Sequence, residues 1–389
     1  MSEKVDQIMS ELKKKVKLDV AAIGVGFAGS YNVQKLNEAL GIPAFVVNSS
    51  VKDLSDSIIK KEIPSFIIGN EGRGAGNDRM KSKKMFKING KELLTNNETF
   101  VKLLNENDII FIVFSSAGGT GSGTGPELVK LCRKMHPNKV FIPIIISPRK
   151  ADSSLSQFNN IECVNEIDSL EGPYIIGDLE YFAAEKEDVA YEKMSEWVLE
   201  NVRKISGMDF ELSNAGMMDE QDLTNLISAP GYLAQFTIPV SQKVLEGTDI
   251  QSLLIKKISE SPSMLIQKDK HVAWGGLVVN LPNDIDDVIT TGDLSVITNA
   301  IGEPRHTYKN FSSSRNATGS VTLILSGLSL PYNRLSESTE KVKNFLAEQE
   351  KTTRNISLSN DLAGLNTGFS GFTEKTVEDA GDVLDDYFD

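Results

Sequence analysis

At 389 residues, 40% hydrophobic and 24% charged, the chain has the composition of a globular protein long enough for two packed domains. A formal net charge of −13 argues against direct, non-specific nucleic-acid binding, because phosphates are repelled rather than neutralised, so any link to DNA needs a basic partner. Two cysteines (Cys132, Cys163) and three scattered histidines (His136, His271, His306) are too few for a disulfide framework, a zinc knuckle or a histidine-built triad.

In residues 1–18, Val5, Ile8, Met9, Leu12 and Val16 recur at helical spacing among charges, which predicts a short amphipathic helix rather than a secretory leader. No apolar run has the length needed to cross a bilayer, so the expected location is cytoplasmic, with no direct membrane contact. From 19 to 188, the runs LDVAAIGVG, IPAFVVN, SFIIG, DIIFIVFSS, KVFIPIIIS and PYIIGD alternate with amphipathic stretches. That is the βαβ rhythm of an α/β, Rossmann-like parallel sheet covered on both faces. Several runs end in Gly, Ser, Asn or Asp, which puts polar loops at the carboxyl edge, where open α/β sheets bind ligands.

Residues 189–208 read as a long bridging helix, with Tyr191, Met194, Trp197, Val198, Val202 and Ile205 on one face. From 209 to 334 the pattern becomes helix (LTNLISA), strand (YLAQFTI), helix (DIQSLLIKKISES), strand (AWGGLVVNL), helix (DLSVITNAIGE) and strand (GSVTLILSGL), a smaller α+β domain. A last helix over 335–357 precedes an acidic tail, 358–389, expected to be flexible until something binds it.

The sharpest signal is Ser115-Ser-Ala-Gly-Gly-Thr-Gly-Ser-Gly-Thr-Gly-Pro126, between a buried-strand sequence and the helical ELVKLCRKM. Its glycines let successive backbone N–H groups face phosphate oxygens, Pro126 suits a first helical turn, and the helix N-terminus adds partial positive charge. Thr120, Ser122 and Thr124 offer hydroxyl donors or a ligand for magnesium. The loop has no lysine, so it is not the GxxxxGK[ST] P-loop, and backbone dipoles and a metal ion must neutralise the phosphates. A second cluster, Gly24-Val-Gly-Phe-Ala-Gly-Ser30, fits G-x-G-x-x-G literally and by itself suggests a dinucleotide-dependent oxidoreductase. That reading needs an acid at the end of the next strand, which instead ends in Asn48-Ser49-Ser50, so a mononucleotide site is preferred. A third loop, Gly69-Asn-Glu-Gly-Arg-Gly-Ala-Gly-Asn-Asp78, again follows a strand. Its Arg73 reads either as a contact to the terminal phosphate or as a bystander.

Together these loops resemble the tubulin/FtsZ superfamily, whose GGGTG[ST]G signature is matched by AGGTGSGTG. The resemblance places Gly24, Gly26, Phe27, Ala28, Gly29, Ser30 and Asn32 in the first phosphate loop and Asn48 and Ser49 in the second. Gly74, Ala75, Gly76 and Asn77 fall in the third, and Ala117, Gly118, Gly119, Thr120, Gly121, Ser122 and Gly123 in the signature loop. ISPRKADSS is similar to the sugar-binding loop, with Asp152 near the ribose. PYIIGD puts Asp178 on the base, where a carboxylate accepts from guanine N1–H and N2–H, groups that adenine lacks. Tyr191 matches the stacking aromatic, although core packing is an equal reading, and Ser195 stands where the family usually has Asn.

MMDEQDL resembles the acidic loop that family members insert into a neighbour's pocket, which makes Asp219 and Asp222 the catalytic acids. By residue type alone the same pair is a helix-capping arrangement. The resemblance implies a GTP/GDP- and Mg2+-dependent GTPase that polymerises with copies of itself. The TubZ-like group of plasmid and phage segregation filaments fits better than FtsZ-like cell-division filaments. The tail then suits a DNA-bound adaptor protein, or equally serves as a solubilising end.

Overall fold

The computed structural model describes residues 18–54, 62–208, 210, 218–246, 248–263, 272–282, 304–314, 318–355 and 387. The expected helix over 1–18 therefore lies outside the described residues, except for its final residue, as does the helix expected in DLSVITNAIGE. In the first half, six strands form: β1 (Val20–Val25), β2 (Ala44–Asn48), β3 (Ser65–Ile67), β4 (Ile109–Ser115), β5 (Val140–Ser147) and β6 (Pro173–Asp178). They pair in parallel in the order β3-β2-β1-β4-β5-β6. The central four, β2, β1, β4 and β5, are buried along almost their whole length, because helices cover both faces.

Those helices are α1 (Gly26–Leu40), α2 (Arg79–Thr95), α3 (Glu98–Glu106), α4 (Gly119–Met135), α5 (Ser154–Ser169) and α6 (Glu187–Ile205). Alternate residues of each strand serve opposite faces. Ala21, Ile23 and Val25 pack with Phe86, Leu103, Leu128 and Val164 from α2 to α5. Ala22, Phe111 and Ile144 pack with Leu36 of α1 and with Met194, Val198 and Val202 of α6. Each of the larger of these side chains, Val, Leu, Ile, Phe or Met, contributes roughly 1.5–3 kcal/mol on leaving water, before conformational entropy is counted. Burial pushes the Cys132 and Cys163 thiols up to about 12, which keeps both un-ionised inside this core.

The second half comprises α7 (Glu220–Ser228), β7 (Gly231–Val240), α8 (Gln242–Leu245), α9 (Ile250–Ser259), β8 (Trp274–Pro282), β9 (His306–Ser314), β10 (Gly319–Leu328) and α10 (Tyr332–Asn355). Its strands extend the same sheet to ten, in the order β6-β7-β10-β8-β9. The junction is short, with only Pro173↔Gly231 and Tyr174↔Tyr232 paired between β6 and β7. Beyond it β10 is antiparallel to β7 and β8, while β9 runs parallel to β8 at the edge. Strand β9 was not expected from the sequence. HTYKNFSSS is largely polar because an edge strand with one open side has no need of a continuous apolar run. Among the described residues no helix is long and apolar enough to cross a membrane.

Helix α10 returns to the carboxyl edge of the first half. Arg334 is the anchor: its Nε donates to Asp178 Oδ2 at 2.6 Å and its Nη2 to the Pro148 carbonyl at 3.1 Å. Ser338 donates to Gln157 Oε1 at 2.7 Å, and Lys341 reaches the carbonyls of Lys150 and Asp152. The Arg334 and Asp178 side chains are only 12% and 13% exposed, so neither charge is free to recruit water if the other is lost. Arg334→Ala is expected to cost about 3 kcal/mol of unfolding free energy in denaturant titration. A double-mutant cycle with Asp178→Ala is expected to show strong coupling; additive losses would refute the pairing.

Candidate functional site

The site is built at the loop edge of the parallel sheet, where α1 and α4 begin. Gly26 opens α1 with φ +72°, a left-handed conformation that side chains resist. A Cβ on Gly24 would lie 2.5 Å from the Gly29 carbonyl oxygen, and one on Gly29 only 2.1 Å from that of Val113, so α1 can start this close to β4 only without side chains there. The residues before the two helices, Val25 and Gly118, provide no side-chain cap, whereas Asp78 caps α2 by accepting from Lys81 N–H at 2.9 Å. The first-turn N–H groups of α1 and α4 therefore lack side-chain acceptors. The two ends also converge: a Cβ on Gly26 would lie 3.1 Å from Gly121 N and 3.3 Å from Thr120 Cβ. Two partial positive charges meet at one point, an arrangement suited to an anion.

The second and third loops are laced to this point through Ser49. Its Oγ is 2.6 Å from Thr120 Oγ1 and accepts from Ala75 N–H at 3.1 Å, while its carbonyl accepts from Gly74 N–H at 2.8 Å. Asn48 holds the turn by accepting from the Ser49 and Ser50 amides, and its own Nδ2 is buried with no protein partner. In the third loop Gly72, Gly74 and Gly76 take positive φ, and Asn77 is the single non-glycine among the described residues to do so, at 55°. A Cβ on Gly119 would meet Asp78 N at 2.8 Å, so this loop and the signature loop touch backbone to backbone.

The expected hydroxyls divide. Thr120 faces Ser49, whereas Ser122 donates back to the Gly118 carbonyl and Thr124 is fully buried against Ser82 at 2.7 Å. Of the three, Thr120 alone faces the point where the two helix ends meet. Among the described residues no group of three His, Cys, Asp or Glu side chains could hold a metal. The donor set fits a magnesium ion held mainly by phosphate oxygens and water, with a hydroxyl as the protein's share.

Further along the edge, Asp152 Oδ2 accepts from Arg149 N–H at 3.0 Å, shaping the loop expected to meet a sugar. Tyr191 stands on α6, 44% exposed, close enough to Asp152 and Arg149 for their charges to act on its phenol, which burial above all raises. Ser195 is buried and donates to the Tyr191 carbonyl. Phe27 is 53% exposed, while Ser30 and Asn32 turn inward to the Gly26 and Ala28 carbonyls. Asp178, expected on the base, has another engagement: both its oxygens accept from Arg334, and Oδ1 also from Glu180 N–H. Arg73 is exposed.

Asp219 and Asp222 are not brought to this edge. They form a capping box at the start of α7, with Asp222 N–H donating to Asp219 Oδ1 at 2.8 Å and Asp219 N–H to Asp222 Oδ2 at 3.3 Å. Sequence reasoning missed Asn159, whose Nδ2 donates to both the Asn77 carbonyl at 2.9 Å and the Ala117 carbonyl at 3.0 Å, tying two loops together. It also missed Asn160, which accepts from Ser116 and Ser147. The available signal was Gln157, Asn159 and Asn160 standing beside Cys163, Val164 and Ile167, amides on the face of a helix that its apolar residues mark as buried.

Residues 19–172 match the Tubulin/FtsZ family, GTPase domain. This segment is a tubulin/FtsZ-family GTPase domain. The tubulin-like protein TubZ of Clostridium botulinum C phage is 28% identical over 307 residues, 76% of this chain and 74% of that protein. Among solved structures, the GTPγS-form protofilament of TubZ from Bacillus thuringiensis serovar israelensis superimposes with a TM-score of 0.70 at 17% identity, covering 90% of this chain and 98% of that one. The GTPγS-bound protofilament of CetZ2 from Haloferax volcanii gives 0.67 at 16%, covering 86% and 100%. The expected tubulin/FtsZ fold is thus the fold observed, and the dinucleotide reading of Gly24–Ser30 gives way to the GTPase domain.

Within this GTPase domain, Asn159→Ala leaves two carbonyls without their shared donor. The expected result is a loss of about 1–3 kcal/mol in urea unfolding, with faster amide exchange in the third loop and the signature loop. Unchanged exchange there would show that Asn159 does not hold the loops together.

Proposed function

We propose that the chain binds GTP with Mg2+ at the loop edge, polymerises head to tail, and hydrolyses GTP where the next subunit brings Asp219 and Asp222 to the pocket. The observation that carries this reading is the placement of the acids relative to the loops along α6. At 19 residues α6 is about 28 Å long. Near its start Glu192 accepts from Tyr31 and Lys35 on α1, beside the first loop. Just past its end a Cβ on Gly207 would touch Leu223 of α7. The acids and the loops therefore lie at opposite ends of α6, too far apart to share a reaction within one chain. Stacked copies bring one end to the other, and the TubZ and CetZ2 structures superimposed above are themselves protofilaments.

In the pocket, the amides opening α1 and α4 take the phosphates, and Gly24, Gly26 and Gly29 let the backbone come close. Ser49 and Thr120 present hydroxyls, and Tyr191 offers its exposed ring to the base. Magnesium, when bound, supplies the positive charge that a lysine-free loop lacks. Asp178 we assign to anchoring α10 rather than to reading the base. The capping box does not conflict with catalysis. It fixes two carboxylates on one outward turn, ready to orient a water toward the γ-phosphate of a neighbour's nucleotide. GTP favours the longitudinal contact and GDP weakens it, which makes the filament dynamic. The role best matched is DNA segregation, with the acidic tail meeting a basic, DNA-bound adaptor; the likeness to a phage TubZ supports it.

Two measurements test this. GTP turnover per subunit should vanish below a critical protein concentration, and turnover independent of concentration would sink the shared site. Asp219→Asn keeps a good helix cap and removes the charge, so stability should change by less than about 0.5 kcal/mol. Turnover should fall by on the order of a hundredfold or more while filaments persist. Normal turnover in that variant would leave Asp219 with the capping role alone. Co-pelleting with DNA-adaptor complexes, with and without the residues after 366, addresses the segregation role.

A further inference from the structure

Away from the loop edge, the surface shared by α2 and α4 is chemically unlike the rest of the chain. In a protein of net charge −13, α2 carries Lys81, Lys83, Lys84, Lys87 and Lys91 against one acid, Glu92, and α4 adds Lys130 and Lys134. Lys83 turns inward to pair with Glu127 at 2.8 Å and with Glu166. Lys87 and Lys130 instead face a ring from the far end of the chain. Their Nζ atoms lie 5.2 Å and 5.8 Å from the centroid of Tyr387. Phe86, fully buried, meets the same ring at 6.5 Å and 59°. Tyr387 is partly buried and packs against the core cluster beneath α2 and α4, and its phenol lies beside the Glu127 carboxylate.

The sequence around Tyr387 has the opposite charge to the helices it meets. Glu378, Asp379, Asp382, Asp385, Asp386 and Asp389 flank it, with Lys375 the one cation in 374–389. Residues 356–386, at up to about 3.3 Å each, span as much as roughly 100 Å, more than the width of a folded chain of this size. An aromatic ring held between two lysines over a phenylalanine, with acids on either side, combines cation–π attraction, apolar burial and charge complementarity in one contact.

We propose that the α2–α4 face is a receptor for an acidic peptide with an aromatic anchor, and that the chain's own C-terminal segment fills it in cis, with Tyr387 seated between Lys87 and Lys130. The tail then has two exclusive states. Docked, it covers the basic face; captured by a partner, it leaves that face open. The inference is independent of GTP hydrolysis, since none of these residues was assigned to the nucleotide or to the acids of α7.

The test uses the full-length chain and its Tyr387→Ala variant, dilute and without nucleotide, titrated with a fluorescein-labelled peptide of residues 376–389 and followed by anisotropy. A tethered tail competes at high effective concentration, so the wild type should bind the peptide at least about tenfold more weakly than Tyr387→Ala. Adding Lys87→Glu and Lys130→Glu to that variant should abolish binding, with circular dichroism confirming that it is folded. A peptide carrying Tyr387→Ala should fail to bind any of the proteins, which keeps the test decisive even if the charge-reversed chain unfolds. Equal binding by wild type and Tyr387→Ala, or full binding by the altered peptide, overturns the proposal. Hydrogen exchange over 84–91 should be slower in wild type than in Tyr387→Ala at every dilution. Protection that disappears on dilution would mean docking onto another copy and would overturn the assignment in cis.

Discussion

Everything at the loop edge depends on how closely two helix ends approach each other. Helices α1 and α4 both start without a side-chain cap, and the glycine at 26 lets their first turns meet, since a Cβ there would lie 3.1 Å from Gly121 N. Two uncapped N-termini at one point are unfavourable by themselves, because orphan N–H groups and like partial charges are concentrated there. The parallel sheet enforces the arrangement: β1 and β4 are adjacent and each feeds its helix at the same edge. An anion placed there relieves the charge that the fold imposes without a lysine in the loop.

The remaining contacts at the site keep that geometry fixed. Ser49 ties the second loop to the third and to the signature loop, and Asn159 bridges the third and signature loops from behind. Arg334 brings α10 across the end of β6, so the second half of the chain buttresses the loop that begins at Pro148. The loop edge is thus held by residues from the end of β2, from α5 and from α10. The region around α7 adjoins the far end of α6, where a Cβ on Gly207 would meet Leu223.

The acidic composition hides an uneven distribution. Lysines crowd α2 and α4 and carboxylates crowd 374–389, so a chain of strong net negative charge carries the two signs in separate segments. A tail that can satisfy its charges on its own chain is available to others only in competition with itself, which gives the tail a thermodynamic threshold.

The sequence by itself determined the parallel sheet, its six strands and the three glycine-rich loops at its edge, because buried runs followed by glycine-rich turns are local signals: strand period and positive φ are written in adjacent residues. It also supplied the acids of α7, though only as a pair whose capping and catalytic readings looked alike. The tertiary structure alone decided what depended on distant partners. It gave Asp178 to Arg334, 156 residues away; it turned Asn159 onto two loops at once; it added the polar edge strand β9 by pairing it with β8; and it placed Asp219 and Asp222 a helix length from the loops. In each case the cause is a contact between residues far apart in the chain, which no local pattern encodes.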